Sequence, residues 1–386
     1  MNLDTSSVQH GIDGCLIRGG TSKGFFTTPA TMPADPEKRD ELLLELFGSP
    51  DPLQVDGLGG SHTHTSKLML VNDSDRPDAD IAYEYAQIGI SNPTVDWSGN
   101  CGNLVSAVGV YGILEGFVTP TEPTTTVRIY SENTDSIIEQ DVPVVDGEPN
   151  PYGTYSIDGV PGTGARVQSR YLEPGGGILE TTLPTGNATD ELVVDGEPYE
   201  VSIVDATNVT VFLRASDLDL TGTESPADLE EDEEFLERLE RIRGQACVTL
   251  GLVDEPADAL EQRPTMPFIA AVSEPQRYDT TVEATIDAAD LDITARMVST
   301  QRPHHAYATT GAMCLAAATR IPETIPAETA RRTGDAVRIG HPKGTMTIGV
   351  DDDAGTINHV SIGRTARLLM SGTAFYRDLE RVERPN

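Results

Sequence analysis

The chain has 386 residues, which at roughly 150 residues per domain implies two or three domains. Hydrophobic residues make up 38% of it, enough for sizeable cores, while mean hydropathy is -0.27 and no apolar run approaches the ~20 residues of a membrane span, which excludes a helical membrane protein. Sixty-two acidic against 27 basic residues give 27 − 62 = −35, a field that repels nucleic acid and anionic membranes and excludes both as general partners.

The strong strand and helix patterns argue against a disordered acidic chain. The charge instead reads as the surface of a halophilic protein, where salt screens self-repulsion. Lysine is scarce: only Lys23, Lys38, Lys67 and Lys343 occur, and three of these sit in glycine-rich motifs. Four cysteines, Cys15, Cys101, Cys247 and Cys314, lie far apart without a C-x-x-C pair. They read as free thiols of a reducing, cytoplasmic compartment. The opening MNLDTSSVQHGIDG has neither a basic n-region nor an apolar h-region, so no secretory signal is expected.

In chain order, residues 11–28 read as strand, glycine turn, strand, and 36–47 as a helix started by proline. TSKLMLVN and ADIAYEYAQIGI are strands, the second alternating Ile81, Tyr83, Tyr85. SGNCGNLVSAVGVYGILEG continues as an apolar helix of about four turns with almost no polar face, hence buried all round. TTTVRIYS, IIEQDVPVV and TYSIDG give further strands. The second half repeats this plan. A strand-rich stretch from 191 precedes one capped amphipathic helix over SPADLEEDEEFLERLERIRGQACVTLG. Then come strands PFIAAV and DITARMVS, the apolar helix TGAMCLAAATRI, and four short strand patterns up to AFYRDL. The expected class is α+β, in two halves divided in the polar stretch LPTGNATDE: residues 1–188 and 189–386.

Several motifs can carry chemistry. Ser98-Gly99-Asn100-Cys101-Gly102-Asn103 puts a thiol at the mouth of the buried helix. Unpaired amides there favour a carboxylate and lower a thiol's pKa, although a free cysteine can equally be a small packing residue. Gly57 to Lys67 is dense in small donors, among them Gly60, Ser61 and Ser66, and ends on a lysine beside Leu68, Met69 and Leu70. Desolvation there would turn Lys67 into a base; the alternative is a snorkelling surface lysine. His62 and His64 form an H-x-H pair open to His304, His305 or His341, but no acidic or cysteine ligand has matching spacing, so no metal is expected. Arg18-Gly19-Gly20-Thr21-Ser22-Lys23-Gly24 lacks the order of a Walker motif, and a strand follows it. It reads either as a tight turn or as a carboxylate site built from Arg18, Thr21, Ser22 and Lys23. His341-Pro342-Lys343-Gly344 is a similar cationic turn, and the acidic run 227–238 is a solvated helix face.

Together RGGTSKG, GGSHTHTSK, SGNCGN, HPKGTM and GRTARLLMSG, in order from about residue 14 to 376, resemble the PrpF family of the diaminopimelate epimerase-like fold. That family comprises 2-methylaconitate isomerases, methylitaconate Δ-isomerases and 4-oxalomesaconate tautomerases. The resemblance implies two pseudo-symmetric domains, each a strand-rich roll around a central apolar helix. It also implies a cleft into which both helix N-termini point, no cofactor, and carbon-acid proton transfer on a small carboxylate; it leaves a homo-oligomer open. Lys67 matches a lysine implicated in the family's proton transfer, and Cys101 matches the cysteine of the epimerases' C-G-N motif. On the resemblance, Arg18, Thr21, Ser22, Lys23, Gly60, Ser61, Ser66, Gly102, Asn103, His305, Thr310, Gly311, Lys343 and Gly344 contact the substrate.

The second half departs from the epimerases. Ala308-Thr309-Thr310-Gly311 stands where they carry C-G-[ST]-G, and Cys314 falls inside the helix. Asp205-Ala206-Thr207-Asn208-Val209 keeps the asparagine but lacks the usual proline after it. A two-thiol racemase is thereby disfavoured against an isomerase of an unsaturated di- or tricarboxylate. The alternatives are an amino-acid epimerase, a non-catalytic carboxylate-binding accessory protein and, third, a metal-dependent hydrolase.

Overall fold

The computed structural model describes residues 9–299, 302–332 and 334–379. The chain forms two compact units. One holds the described residues up to Asn133, with Ile137–Ser169 and those from Gly363 on; the other is Arg170–Ile362 with Thr134–Ser136. The stretch around residue 188, where the sequence division was drawn, lies within the second unit. It is folded as a turn: Asp190 accepts hydrogen bonds from Thr185 Oγ1 (2.6 Å) and Asn187 Nδ2 (2.8 Å), and Ser202 Oγ donates to the Ala188 carbonyl (2.7 Å).

In the first unit β1 (Gln9–Gly19) and β2 (Ser22–Thr27) form the expected hairpin, antiparallel with Gly19 opposite Ser22. Helix α1 (Pro36–Phe47) starts where Asp35 Oδ1 accepts the Glu37 and Lys38 amides at 3.0 and 3.3 Å, and ends at Gly48 with φ 71°. Its Leu42, Leu43, Leu46 and Phe47 pack on Phe25, Leu68 and Leu70. β3 (Lys67–Asp73) runs parallel to β2, β4 (Ile81–Ile88) antiparallel to β3, and strand Thr124–Ser131 parallel to β4. The last strand, Ala366–Arg377, returns to pair with the whole of β1.

The second unit repeats this order of pairings. Strands Glu197–Asp205 and Val209–Arg214 are antiparallel, the latter is parallel to Phe268–Ser273, which is antiparallel to Ile293–Ser299, itself parallel to Ala336–His341. Its core gathers Ile203, Val211 and Leu213 under Leu239 and Ile242. The α+β class and the repeated plan therefore agree with the sequence reading.

Four details differ. The apolar helix of the first half is broken into α2 (Gly102–Val105) and α3 (Val108–Leu114). Side chains intercept its backbone: Ser106 Oγ donates to the Asn103 carbonyl (2.6 Å), Gln140 Nε2 donates to that of Val105 (3.1 Å), and Gln140 Oε1 accepts the Gly109 amide (2.8 Å). The amphipathic helix is likewise two, α4 (Pro226–Glu230) and α5 (Glu233–Thr249), because Asp232 caps a second start on the Phe235 amide. TYSIDG is not a strand; Tyr155 makes only an isolated bridge to Gly164, and Gly159 turns the chain at φ 88°. Of the four closing strands Ala336–His341 is short, with six residues, but the other three run to 9, 10 and 12 residues.

Candidate active site

Side chains alternate along a strand, so Tyr83, Tyr85 and Gln87 share one face of β4. Register places Lys67 directly opposite Gln87, and Met69 opposite Tyr85. Lys67 is 7% exposed. Its Nζ donates to Tyr85 Oη at 2.7 Å and to Gln87 Oε1 at 2.6 Å. Tyr85 Oη donates to the same Gln87 oxygen at 2.8 Å, and Gln87 Nε2 donates to the carbonyls of Ser66 (2.9 Å) and Ile88 (3.3 Å). Burial lowers the Lys67 pKa from the usual lysine range; the hydrogen bond and charge of Cys101 oppose it.

Cys101 is half-buried and forms the N-cap of the short helix α2. Its Sγ lies 3.7 Å from Ser22 Oγ, at the first residue of β2. Asn100 Oδ1 accepts both the Cys101 amide (2.7 Å) and Tyr83 Oη (3.0 Å). Burial raises the phenols of Tyr83 and Tyr85 above their usual range, so both remain neutral donors at physiological pH. One strand face thus holds the thiol through Tyr83 and the amine through Tyr85 and Gln87.

The hairpin of β1 and β2 closes on this group. Asn103 Oδ1 accepts the Thr21 amide (3.4 Å) and Arg364 Nε (3.1 Å). Arg18 folds back onto the carbonyls of Gly20 (2.9 Å) and Thr365 (2.7 Å), and the Lys23 amide reaches the His64 carbonyl (2.9 Å). Gly60, Ser61 and Ser66 belong to a loop organised by the buried Gln54: its Oε1 accepts Ser66 Oγ (2.5 Å) and the Ser61 amide (3.0 Å). Ser61 Oγ donates to the Leu53 carbonyl (2.8 Å). Both hydroxyls therefore hold the loop itself.

In the second unit His305 is exposed, Thr310 and Gly311 are buried in the first turn of helix Thr309–Ala318, and the Thr310 carbonyl accepts Thr207 Oγ1 (2.9 Å). Lys343 and Pro342 form the turn before Gly344, where the Lys343 amide donates to His341 Nδ1 (3.2 Å) and Tyr278 Oη donates to the Gly344 carbonyl (2.8 Å). Among the described residues no three His, Cys, Asp or Glu side chains converge as a metal site, and no helix is long and apolar enough to cross a membrane.

Sequence reasoning missed Gln54, Tyr83, Tyr85, Gln87, Asn100 and Arg364. The alternation Tyr83, Tyr85, Gln87 was the available signal for three of them, since it puts polar ends on the lysine's face.

A doubled strand-rich plan and a buried amine on which the charge of a half-buried thiol acts are the equipment of an isomerase working by proton transfer. The chain belongs to the PrpF family, whose model matches residues 9–377. It is 40% identical over 363 residues to the 3-methylitaconate isomerase of Eubacterium barkeri, covering 93% of this chain and 96% of that protein. It is 36% identical to the 2-methyl-aconitate isomerase of Shewanella oneidensis (92% and 94% covered) and 34% identical to the 4-oxalomesaconate tautomerase of Pseudomonas putida (92% and 94%). The crystal structure of a methylitaconate-delta-isomerase matches with TM-score 0.85 at 39% identity, over 98% of each chain. A hydroxyproline epimerase from Agrobacterium vitis, at TM-score 0.54 and 12% identity over 95% and 93%, shares the fold alone. The protein is an isomerase with the diaminopimelate epimerase-like fold.

Proposed function

We propose that this isomerase moves a proton and a double bond in an unsaturated di- or tricarboxylate resembling 3-methylitaconate, 2-methylaconitate or 4-oxalomesaconate. Lys67 and Cys101 are the proton-transfer pair. One removes an allylic proton vinylogous to a carboxylate, and the dienolate is reprotonated at another carbon, or at the same carbon after rotation. Arg18 and Lys23 supply positive charge where the global field would repel such a ligand. On the resemblance alone, Thr21, Ser22, Gly102, Asn103, His305, Thr310, Gly311, Lys343 and Gly344 remain proposed substrate partners. The four free thiols support a cytoplasmic setting, and the −35 charge a halophilic one.

The carrying observation is an asymmetry between the repeated units. On the face that bears Lys67, Tyr85 and Gln87 in the first, the second offers Phe268 and Ala270, with Met297 opposite Ala270. A Cβ on Gly311 would meet Met297 at 2.9 Å and the rings of Phe268 and Tyr307 at 3.3 Å, and Ala308 replaces the cysteine at the N-cap. A racemase needs a base on each face of one carbon; an allylic isomerase needs one proton removed and one returned. In D₂O, at least one of the three named acids should gain deuterium at its allylic carbon, while L-amino acids keep their α-proton. Loss of optical rotation from an amino acid, without wash-in to the unsaturated acids, would establish an epimerase instead. Tight binding of the acids without exchange into either class would establish a binding protein.

A further inference from the structure

We propose that Gln87, seconded by Tyr85, is a positioning residue that fixes two of the three outward valences of Lys67 Nζ and leaves the third for proton transfer. The inference rests on the reading of Lys67 as a proton carrier and adds to it how the amine is held.

The argument is a count of donors. Gln87 Nε2 has two hydrogens, given to the Ser66 and Ile88 carbonyls, so the amide has one orientation and Oε1 faces Lys67 purely as an acceptor. Tyr85 has a single phenolic proton, and Gln87 Oε1, at 2.8 Å, takes it. Tyr85 Oη is then an acceptor toward Lys67 at 2.7 Å, and Gln87 Oε1 accepts from Lys67 at 2.6 Å. Both bonds require hydrogens on Nζ. A neutral amine has two, and both are consumed, so its lone pair occupies the remaining direction. An ammonium carries its third hydrogen in that same direction. The remaining direction of Nζ is therefore the one along which a proton can leave or arrive, the charge of Cys101 acts on the amine, and the side chain cannot swing to solvent without breaking both hydrogen bonds. A snorkelling lysine has no such constraint.

The groups facing Lys67 are Tyr85 and Gln87 on β4 and Cys101 before α2. Ser22 on β2 meets Cys101, and the charge of Asp96 acts on Tyr85. All but the substituted residue persist in each variant below.

The test is the pH profile of kcat for exchange of whichever of the three acids turns over, in Gln87→Glu, Gln87→Met and Tyr85→Phe. Glu keeps the acceptor and places a charge beside the amine, although it loses the donations to the Ser66 and Ile88 carbonyls, so the limb of the profile that titrates with Lys67 should move up by about one unit or more. Above the new limb, kcat should recover to within severalfold of the parent. Met removes the acceptor, and kcat should fall about tenfold or more at every pH with KM nearly unchanged. Tyr85→Phe should lower kcat similarly without moving the limb upward. Circular dichroism on each variant establishes folding. If folded Gln87→Glu and Gln87→Met lose kcat equally and neither limb moves, Gln87 is only structural and the proposal falls. If folded Lys67→Met retains exchange, the reading of Lys67 as proton carrier fails first. The two failures are thereby distinct.

Discussion

A Cβ built on Gly20 would lie 2.2 Å from Asn103 Oδ1. The hairpin turn between β1 and β2 therefore closes against the asparagine that follows Cys101 and Gly102, and only a residue without a side chain fits. Gly20 also has φ 53°, in the left-handed region. Asn103 Oδ1 is at the same time tied to the Thr21 amide and to Arg364. The turn, the start of α2 and the last residue of strand Thr356–Arg364 meet on one oxygen atom.

Gly20→Ala should consequently displace Asn103 and with it the chain around Cys101. We expect at least a tenfold fall in kcat/KM and a stability loss of about 1–3 kcal/mol. Gly116→Ala is the control: its φ is 80° but nothing lies within 4 Å of the added carbon. It should cost some stability and leave activity near the parent value. Equal activity losses in steady-state assays of the two variants would show that backbone strain, not the Asn103 contact, is responsible.

Cys101→Ser and Lys67→Met should each lower turnover by about a hundredfold or more. Cys15→Ser, Cys247→Ser and Cys314→Ala should change it little. Burial raises the thiols of Cys15 and Cys247 and pushes that of Cys314 up to about 12, while Cys101 alone of the four is half-buried rather than buried. Alkylation of the folded protein near neutral pH, mapped by mass spectrometry, should mark Cys101 first and abolish activity in step. Inactivation that tracks Cys314 instead would move the chemistry to the second unit.

Much of this was legible in the sequence because strand and helix periods are local. The proline start of α1, the β1–β2 hairpin and the buried apolar segments follow from residues a few positions apart. The partners of Lys67 were not legible as partners. Gln87 is opposite Lys67 only because β3 and β4 pair in one register, and a one-residue slip would place it on the other face. The break between α2 and α3 was hidden for the same reason, since Gln140 comes from a distant strand to take the helix's hydrogen bonds. Arg364 stood inside a recognised motif, yet its bond to Asn103 spans 261 positions of chain.

Asp205→Asn should stabilise the protein at neutral pH. The carboxyl is fully buried; its Oδ2 accepts the Ile178 and Leu179 amides at 2.9 and 2.6 Å, and its Oδ1 has no hydrogen-bond partner. Burial raises its pKa above the usual aspartate range despite those two bonds. A carboxyl whose folded pKa is raised penalises folding wherever both states are ionised, and the penalty disappears as pH falls through the folded value toward the unfolded one. The amide can keep the two acceptor bonds without the charge. A melting-temperature gain of a few degrees, on the order of 1 kcal/mol, is expected near pH 7 and should shrink toward pH 4. A gain that grows on acidification would reverse the sign and exclude burial of the charge as its origin.

Molar salt should stabilise the protein and support its activity. At −35 the chain repels itself, because 27 basic residues, only four of them lysines, face 62 acidic ones. The repulsion is concentrated in places: Glu230, Glu231, Asp232, Glu233 and Glu234 are consecutive and exposed where α4 passes into α5. Asp232 is held there by its role as N-cap, but among the described residues the Glu231 and Glu234 side chains make no such contact with the backbone. The screening length is about 10 Å at 0.1 M and about 3 Å at 1 M, so neighbouring surface carboxylates cease to feel one another over that range. The melting temperature should rise between about 0.1 M and about 2 M KCl. Because stronger burial of apolar surface in salt would also raise it, the discriminating measurement is the double variant Glu231→Gln, Glu234→Gln. Relief of repulsion predicts that this variant is more stable than the parent at low salt and that the two curves converge at high salt. Parallel curves, or a parent melting temperature that stays flat across the range, would separate the acidic composition from any requirement for salt.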